Sequence, residues 1–240
     1  MNSDPVGHAP EHHPRVLLRS VAHNQARGVK NIQLYEQGHG VLRYEGKKQP
    51  KERRRLAGVM AGAFGDAAWN AQPAAFDFFD GKGIVESLLH ELATPKVRFK
   101  ALSAEEAPHL QPGRAAQVLS GGTVLGWVGE IHPLAADAFE ATAPVVAFEL
   151  DLDALVKTSQ PARDYVDVPL FPAVTMDIAL VVDEDVTNEK LMQVMRSAGG
   201  QAALEHPALR CVSRRRAFGR GQEIDGLCAR ISLARQDAYR

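Results

Sequence analysis

The sequence predicts an α+β protein: a mixed α/β unit with an antiparallel sheet and flanking helices, followed by a smaller second unit. Three stretches predict it. Residues 110–133, LQPGRAAQVLSGGTVLGWVGEIHP, read as two strands joined at Gly121-Gly122, a pair that supplies the positive φ a two-residue hairpin loop needs. Residues 76–92, FDFFDGKGIVESLLHEL, read as a helix with Ile84, Val85, Leu88, Leu89 and Leu92 on one face. From residue 168, a strand alternating through Val174, Met176, Ile178 and Leu180 precedes a helix over 188–198 that ends at Gly199-Gly200. A strand followed by such a helix is how a ferredoxin-like βαββαβ unit opens.

The bulk numbers narrow the classes. At 240 residues, 45% hydrophobic and 24% charged, the chain is an ordinary globular sequence. It suits one large or two modest domains at ~100–200 residues each. The net charge of -1 gives no overall pull toward nucleic acid or membrane, so such a partner must be held by a local patch. No run of ~18 apolar residues exists to span a bilayer. The start, MNSDPVGHAPEHHPR, lacks the apolar core of a secretory signal. Cys211 and Cys228 make no disulfide framework, so a reduced, cytoplasmic setting is expected.

The elements follow in order. Residues 1–14 are expected to be a disordered tail, in which His8, His12 and His13 are solvated rather than metal-bound. Residues 16–27 have helical spacing through Val16, Leu17, Val21 and Ala22, with Gly28 as the stop. Residues 32–37 alternate as a strand, and Gly38-His39-Gly40 is expected to turn the chain into a second short strand over 41–44. The basic run 47–55, KKQPKERRR, is read as a solvated loop, with phosphate contact as the alternative. Residues 56–64 are expected to be a buried strand.

Asp77 and Asp80 form a carboxylate pair at the start of the 76–92 helix. An acid–base pair must converge on a pocket with split pKa values. Helix N-termini favour acids in any case, and capping is the reading adopted. Residues 96–101 are a strand, 133–141 a short helix and 145–150 a further strand. Glycines Gly126 and Gly129 weaken the strand they occupy unless a neighbour must come close, so that strand is expected to be central. Domains are therefore expected at 1–14 (tail), 15–157 (core), 158–167 (linker) and 168–240 (second unit).

Several segments resemble the C-terminal part of the bacterial phenylalanyl-tRNA synthetase beta subunit. They are Leu34-Tyr35-Glu36-Gln37-Gly38, FDFFDGKG from Phe76, LQPGRAA from Leu110, GWVGEIHP from Gly126, Phe148-Glu149-Leu150, and FPAVTMDIAL from Phe171. They occur in the family's order over about residues 15–200. The resemblance implies a class II synthetase-like, non-catalytic core over 15–157 and a ferredoxin-fold anticodon-binding domain over 168–240. It implies a part in ATP-dependent attachment of phenylalanine to tRNA(Phe), within a heterotetramer of two alpha and two beta chains. ATP and magnesium would act in the holoenzyme, and phenylalanine is activated on the alpha subunit. The arginine motifs by which a class II site clamps ATP are absent from 15–157. Arg114 has no Arg-x-Glu around it, and His132, followed by Pro133, reads as a helix initiator rather than a general base. No catalytic, cofactor-binding or metal residue is therefore assigned to this chain, and its tRNA contacts are unassigned. A free-standing tRNA-binding paralogue and a frameshifted, inactive fragment are the rival readings.

After Gly200 the family pattern stops. Residues 222–228, written CAA GAA ATC GAT GGC CTA TGC, give Lys-Lys-Ser-Met-Ala-Tyr one base later. A suitable codon choice for 231–240 gives a segment ending Arg-Thr-Leu-Thr in the same shifted frame. Both are family segments, so a frame slip within about 200–212 is expected. The second unit should then be incomplete after about 205, keeping its first strand and helix and losing the remaining strands. Arg214, Arg215, Arg216 and Arg220 would attract phosphates only non-specifically.

Overall fold

A computed structural model describes residues 12–42, 51–66, 68–70, 73–160, 174–182, 186–199, 208–213 and 227–235. The chain divides into two units, Met1–Arg163 and Asp164–Arg240.

The first unit contains α1 (His12–Gln25), β1 (Ile32–Leu42), β2 (Lys51–Ala61), α2 (Phe78–Glu91), β3 (Val97–Ala101), β4 (Leu110–Ser120), β5 (Thr123–Ile131), α3 (Pro133–Asp137), β6 (Val145–Asp151) and α4 (Leu152–Thr158). Six strands form one sheet in the order β1-β2-β6-β5-β4-β3, and every neighbouring pair is antiparallel. This is the α+β architecture expected, an antiparallel sheet with flanking helices.

Both faces of the sheet are buried. Leu17, Leu18 and Val21 of α1 pack with Ile32, Val59, Ala115, Ile131, Val145 and Ala147. Val85 and Leu89 of α2, with Leu155 of α4, pack with Val118, Leu125, Val128, Phe148 and Leu150. Because β6 supplies both clusters, VVAFEL is buried throughout rather than alternating, with Glu149 its one charged residue. On α2 the buried seam is Gly81, Val85 and Leu89, and Ile84, expected on that face, lies off it and is exposed.

The 110–131 hairpin forms as read, with its turn at Gly121, where φ is +58°, and Gly122. Its second strand is central, between β4 and β6. The reason for Gly126 is the neighbouring strand: a Cβ there would overlap the carbonyl oxygen of Glu149. Residues 111–114 of β4 are an irregular insertion between the pairs Leu110–Ile131 and Ala115–Gly129, and Arg114 lies in it.

Several expectations are corrected. α1 begins at His12, so residues 12–14 are helical; Pro14 falls in the first turn, where its missing N–H is harmless. Residues 1–11 lie outside the described residues. β1 runs unbroken through Gly38-His39-Gly40, because those three residues pair with Arg55, Arg54 and Arg53. Residues 51–55 are strand rather than loop, and that strand ends at Ala61.

The second unit contains β7 (Val174–Val182), α5 (Asn188–Gly199), β8 (Ala208–Ser213) and β9 (Leu227–Arg235). Two strands follow residue 205 where none was expected. Leu227, Ala229, Ile231 and Leu233 recur with the period of a strand, and β9 lies between β7 and β8, antiparallel to both. β7 and β8 are therefore parallel, split by β9, as in the first half of a ferredoxin-like unit. Among the described residues there is no second helix or fourth strand in this unit.

Candidate functional site

Three of the segments that carry the family resemblance meet at one carboxylate. Glu130, near the end of β5, is 6% exposed. Both of its oxygens accept from Arg114 Nη1, at 2.9 Å each. Its Oε1 also accepts from the backbone N–H of Phe78 at 3.2 Å. The irregular stretch of β4 aims Arg114 at this point, as strand insertions re-aim side chains. The arginine side chain remains 59% exposed.

The first turn of α2 completes the cluster. Asp77 Oδ1 accepts from the N–H groups of Phe79 at 2.7 Å and Asp80 at 3.2 Å. Asp80 Oδ2 accepts from the Asp77 N–H at 2.8 Å, closing a reciprocal capping box. Glu130 and Asp77 thereby satisfy three N–H groups that a helix start leaves without internal partners. The pair Asp77 and Asp80 is a cap, and both carboxylates hold their own helix. The aromatic ring of Phe79 is exposed beside it, edge-on to Phe78 with centroids 5.4 Å apart.

The arginines of β2 meet a matching row of acids. Arg55 Nη1 lies 3.5 Å from Asp151 and its Nε 3.8 Å from Glu149, and all three side chains are largely buried. Arg53 Nη1 lies 3.7 Å from Asp151. Arg54 donates from Nε and Nη2 to Asp153 Oδ1 at 2.9 and 2.7 Å, and its backbone N–H reaches Oδ2 at 3.3 Å. These bonds hold the Asp153 carboxyl below the usual carboxylate range. The sequence signal for this row is the spacing of acids at 149, 151 and 153, which places Glu149 and Asp151 on one face of β6 beside Arg55. The basic run by itself carries no sign of these acids, which lie about 100 residues further along the chain.

His132 accepts from the Leu134 N–H through Nδ1 at 3.2 Å, and Pro133 occupies the first turn of α3, so it initiates that helix. A second histidine, missed in the sequence, is more unusual. His109 is edge-on to Trp127 with centroids 5.2 Å apart. Neither ring nitrogen has a hydrogen-bond partner among the described residues. Burial pushes its pKa below the ordinary histidine value. His12 and His13 open α1, while His8 and the tail arginines from Arg214 to Arg220 lie outside the described residues. Among the described residues no group of three or more His, Cys, Asp or Glu is placed to hold a metal ion. No helix among them is long and apolar enough to cross a membrane.

The geometry defines an antiparallel-sheet module whose β2 and β4 arginines are engaged by its own carboxylates. A family model described as the phenylalanyl tRNA synthetase beta chain CLM domain matches residues 15–152. The chain belongs to the phenylalanyl-tRNA synthetase beta-chain family. The phenylalanine–tRNA ligase beta subunit of Lactiplantibacillus plantarum is 36% identical over 193 residues, 80% of this chain and 24% of its own. That of Symbiobacterium thermophilum is 39% identical over 184 residues, 77% and 20% of the two chains. That of Ralstonia nicotianae is 41% identical over 195 residues, 76% and 22%. The chain thus spans roughly a quarter or less of the length of these curated relatives. Among solved structures, a pyrrolysyl tRNA synthetase, PylSc of Desulfitobacterium hafniense, aligns over 58% of this chain and 46% of its own, at 13% identity and a TM-score of 0.43.

Proposed function

We propose that this chain is a non-catalytic, C-terminal part of a phenylalanine–tRNA ligase beta subunit. It supports attachment of phenylalanine to tRNA(Phe) by docking on the alpha subunit and contacting tRNA in the cytoplasm. One observation carries the non-catalytic reading. Arg53, Arg54, Arg55 and Arg114, the four arginines of β2 and β4, each lie against a carboxylate of the same unit. A synthetase site of this type grips triphosphate with strand arginines, and a guanidinium held by its own carboxylate is a poor phosphate ligand. ATP and magnesium then act on the alpha subunit of the holoenzyme.

The test is co-expression with a phenylalanyl-tRNA synthetase alpha chain. The expected result is a stable complex that charges tRNA(Phe), with no ATP–pyrophosphate exchange by this chain alone. Exchange by the isolated chain would overturn the reading. We propose the frame slip because codons can be chosen for 222–228 and 231–240 that restore both family segments in one shifted frame. Sequencing the coding DNA checks it: codons that do not restore Lys-Lys-Ser and Arg-Thr-Leu-Thr one base later end that idea.

A further inference from the structure

Residues 102–109, between β3 and β4, lie against the face of the sheet that carries α1. Leu102 and Ala107 pack in the same apolar cluster as Leu17, Val21 and Ile131, and Trp127 borders it. Few bonds hold this strap. Leu102 N–H donates to Ala115 O at 3.0 Å at one end, and His132 N–H donates to His109 O at 2.9 Å at the other. Leu110 N–H donates back to Ala107 O at 3.0 Å. Between these ties, residues 103–106 are exposed. Glu106 Oε2 accepts there from the Ser103 N–H at 2.9 Å and its hydroxyl at 3.1 Å, a turn closed on itself. The buried Ala107 and the His109 ring are therefore what fasten the second half of the strap.

The His109 ring is a fastening that acid can undo. Both ring nitrogens are buried, and neither has a hydrogen-bond partner among the described residues. Gln111 Oε1, two residues on, is buried and equally unpartnered, so it lies beyond bonding distance of both nitrogens. A neutral imidazole gives up hydrogen bonds here, whereas an imidazolium would carry a charge into a site with no acceptor. The surrounding charges do not supply one. Glu106 is turned to Ser103, with Lys100 Nζ at 3.6 Å, and Glu105 is exposed. Glu149, the register partner of Trp127 on β6, faces Arg55. His132 uses Nδ1 to accept from the Leu134 N–H. Burial is the whole cause of the lowered His109 pKa, with no contribution from any charged neighbour.

We propose that residues 102–109 form an acid-sensitive strap that opens as a unit when His109 is protonated, uncovering Trp127. Once out of its site the ring regains the ordinary histidine pKa of ~6.5, so opening takes up a proton. The closed strap is thus favoured above that pH and loses ground as pH falls below it. At pH 5.5 the opening equilibrium should stand up to about 10-fold above its value at pH 7.5. A segment with so few buried contacts opens without the rest of its unit. Trp127 is in register with Gln117 and Glu149, so the face that opening presents is an aromatic ring between an amide and a carboxylate.

Amide hydrogen exchange of the full 240-residue chain, followed by NMR and normalised to the intrinsic rate at each pH, tests this. The Leu110 and His132 amides report on the strap, because their acceptors are Ala107 O and His109 O. Both should be less protected than the amides of β6 at pH 7.5 and at pH 5.5. Their protection should fall about 10-fold between the two. In His109→Gln, which takes up no proton, the protection of both should stay constant. His109→Phe, which keeps an aromatic ring against Trp127, takes its place if the glutamine chain does not fold. Protection equal to that of β6 would mean that the strap opens only with the whole unit and would overturn the proposal. So would an equal fall in the variant, or no fall in the parent.

Discussion

Glu130→Gln isolates the junction at which three sequence segments meet. The substitution keeps the side chain's length and removes its charge. In the parent, three N–H···O bonds converge on this buried carboxylate, two from Arg114 Nη1 and one from Phe78. Glutamine offers one acceptor oxygen and turns an NH2 group toward a donor. At least one hydrogen bond to a charged group is lost, a contribution of about 1.5–3 kcal/mol. Arg114 is 59% exposed, so water recovers part of the loss. That places the expected cost at the low end, about 1.5–2 kcal/mol. For a cooperative unit of ~150–250 residues, this lowers Tm by about 3–8 °C. Arg114→Ala should cost more, because it strands a buried carboxylate with one N–H; the ceiling is the ~3–5 kcal/mol of a broken buried pair. The double variant should cost less than the two changes added, since no unpaired charge remains. Urea unfolding followed by tryptophan fluorescence gives each value by linear extrapolation. Glu130→Gln within about 0.5 kcal/mol of the parent, the range of an ordinary surface change, would refute the clamp. So would strict additivity of the pair, which marks independent sites.

Further outcomes follow from the same structure. His109 has a folded pKa below its unfolded value of ~6.5, so above that pH neither state is protonated. As pH falls through ~6.5 the unfolded chain gains a proton first, and stability is lost until the lower, folded pKa is reached. The urea midpoint should therefore drop between pH 7.5 and 5.5 by more in the parent than in His109→Phe; equal slopes would contradict it. Gly126→Ala should cost about 4 kcal/mol or more, or prevent soluble expression, because its Cβ would overlap the Glu149 carbonyl. Gly122→Ala, whose Cβ meets no atom within 4 Å, should stay within about 0.5 kcal/mol of the parent by the same assay. Asp77→Ala should cost about 1 kcal/mol through the lost cap, seen as a lower thermal midpoint.

What was legible in the sequence was local. The Gly121-Gly122 turn, the Asp77 cap and the His132-Pro133 helix start each rest on chemistry confined to a few neighbouring residues, and each forms where it was read. What was not legible was pairing at a distance. Gly38-His39-Gly40 looks like a turn until Arg53–Arg55 lies opposite it. The basic run looks solvated until Glu149, Asp151 and Asp153 arrive beside it, ~100 residues later. Glu130 looks like one more polar residue on a strand, because its partners are Arg114, 16 residues back, and the Phe78 backbone, 52 back. In the second unit the alternation of β9 is legible in Leu227, Ala229, Ile231 and Leu233 themselves.

The place of β6 in the sheet sets an order of assembly. β1 and β2 form one ribbon, β3, β4 and β5 another, and each can pair as soon as it is made. Only the last strand joins them, so until residue 151 leaves the ribosome both ribbons have an unpaired border, β2 on one and β5 on the other. Such borders recruit strands from other chains, and closure over so long a sequence separation is slow. Premature termination before residue 145 should accordingly produce aggregates rather than a smaller folded domain.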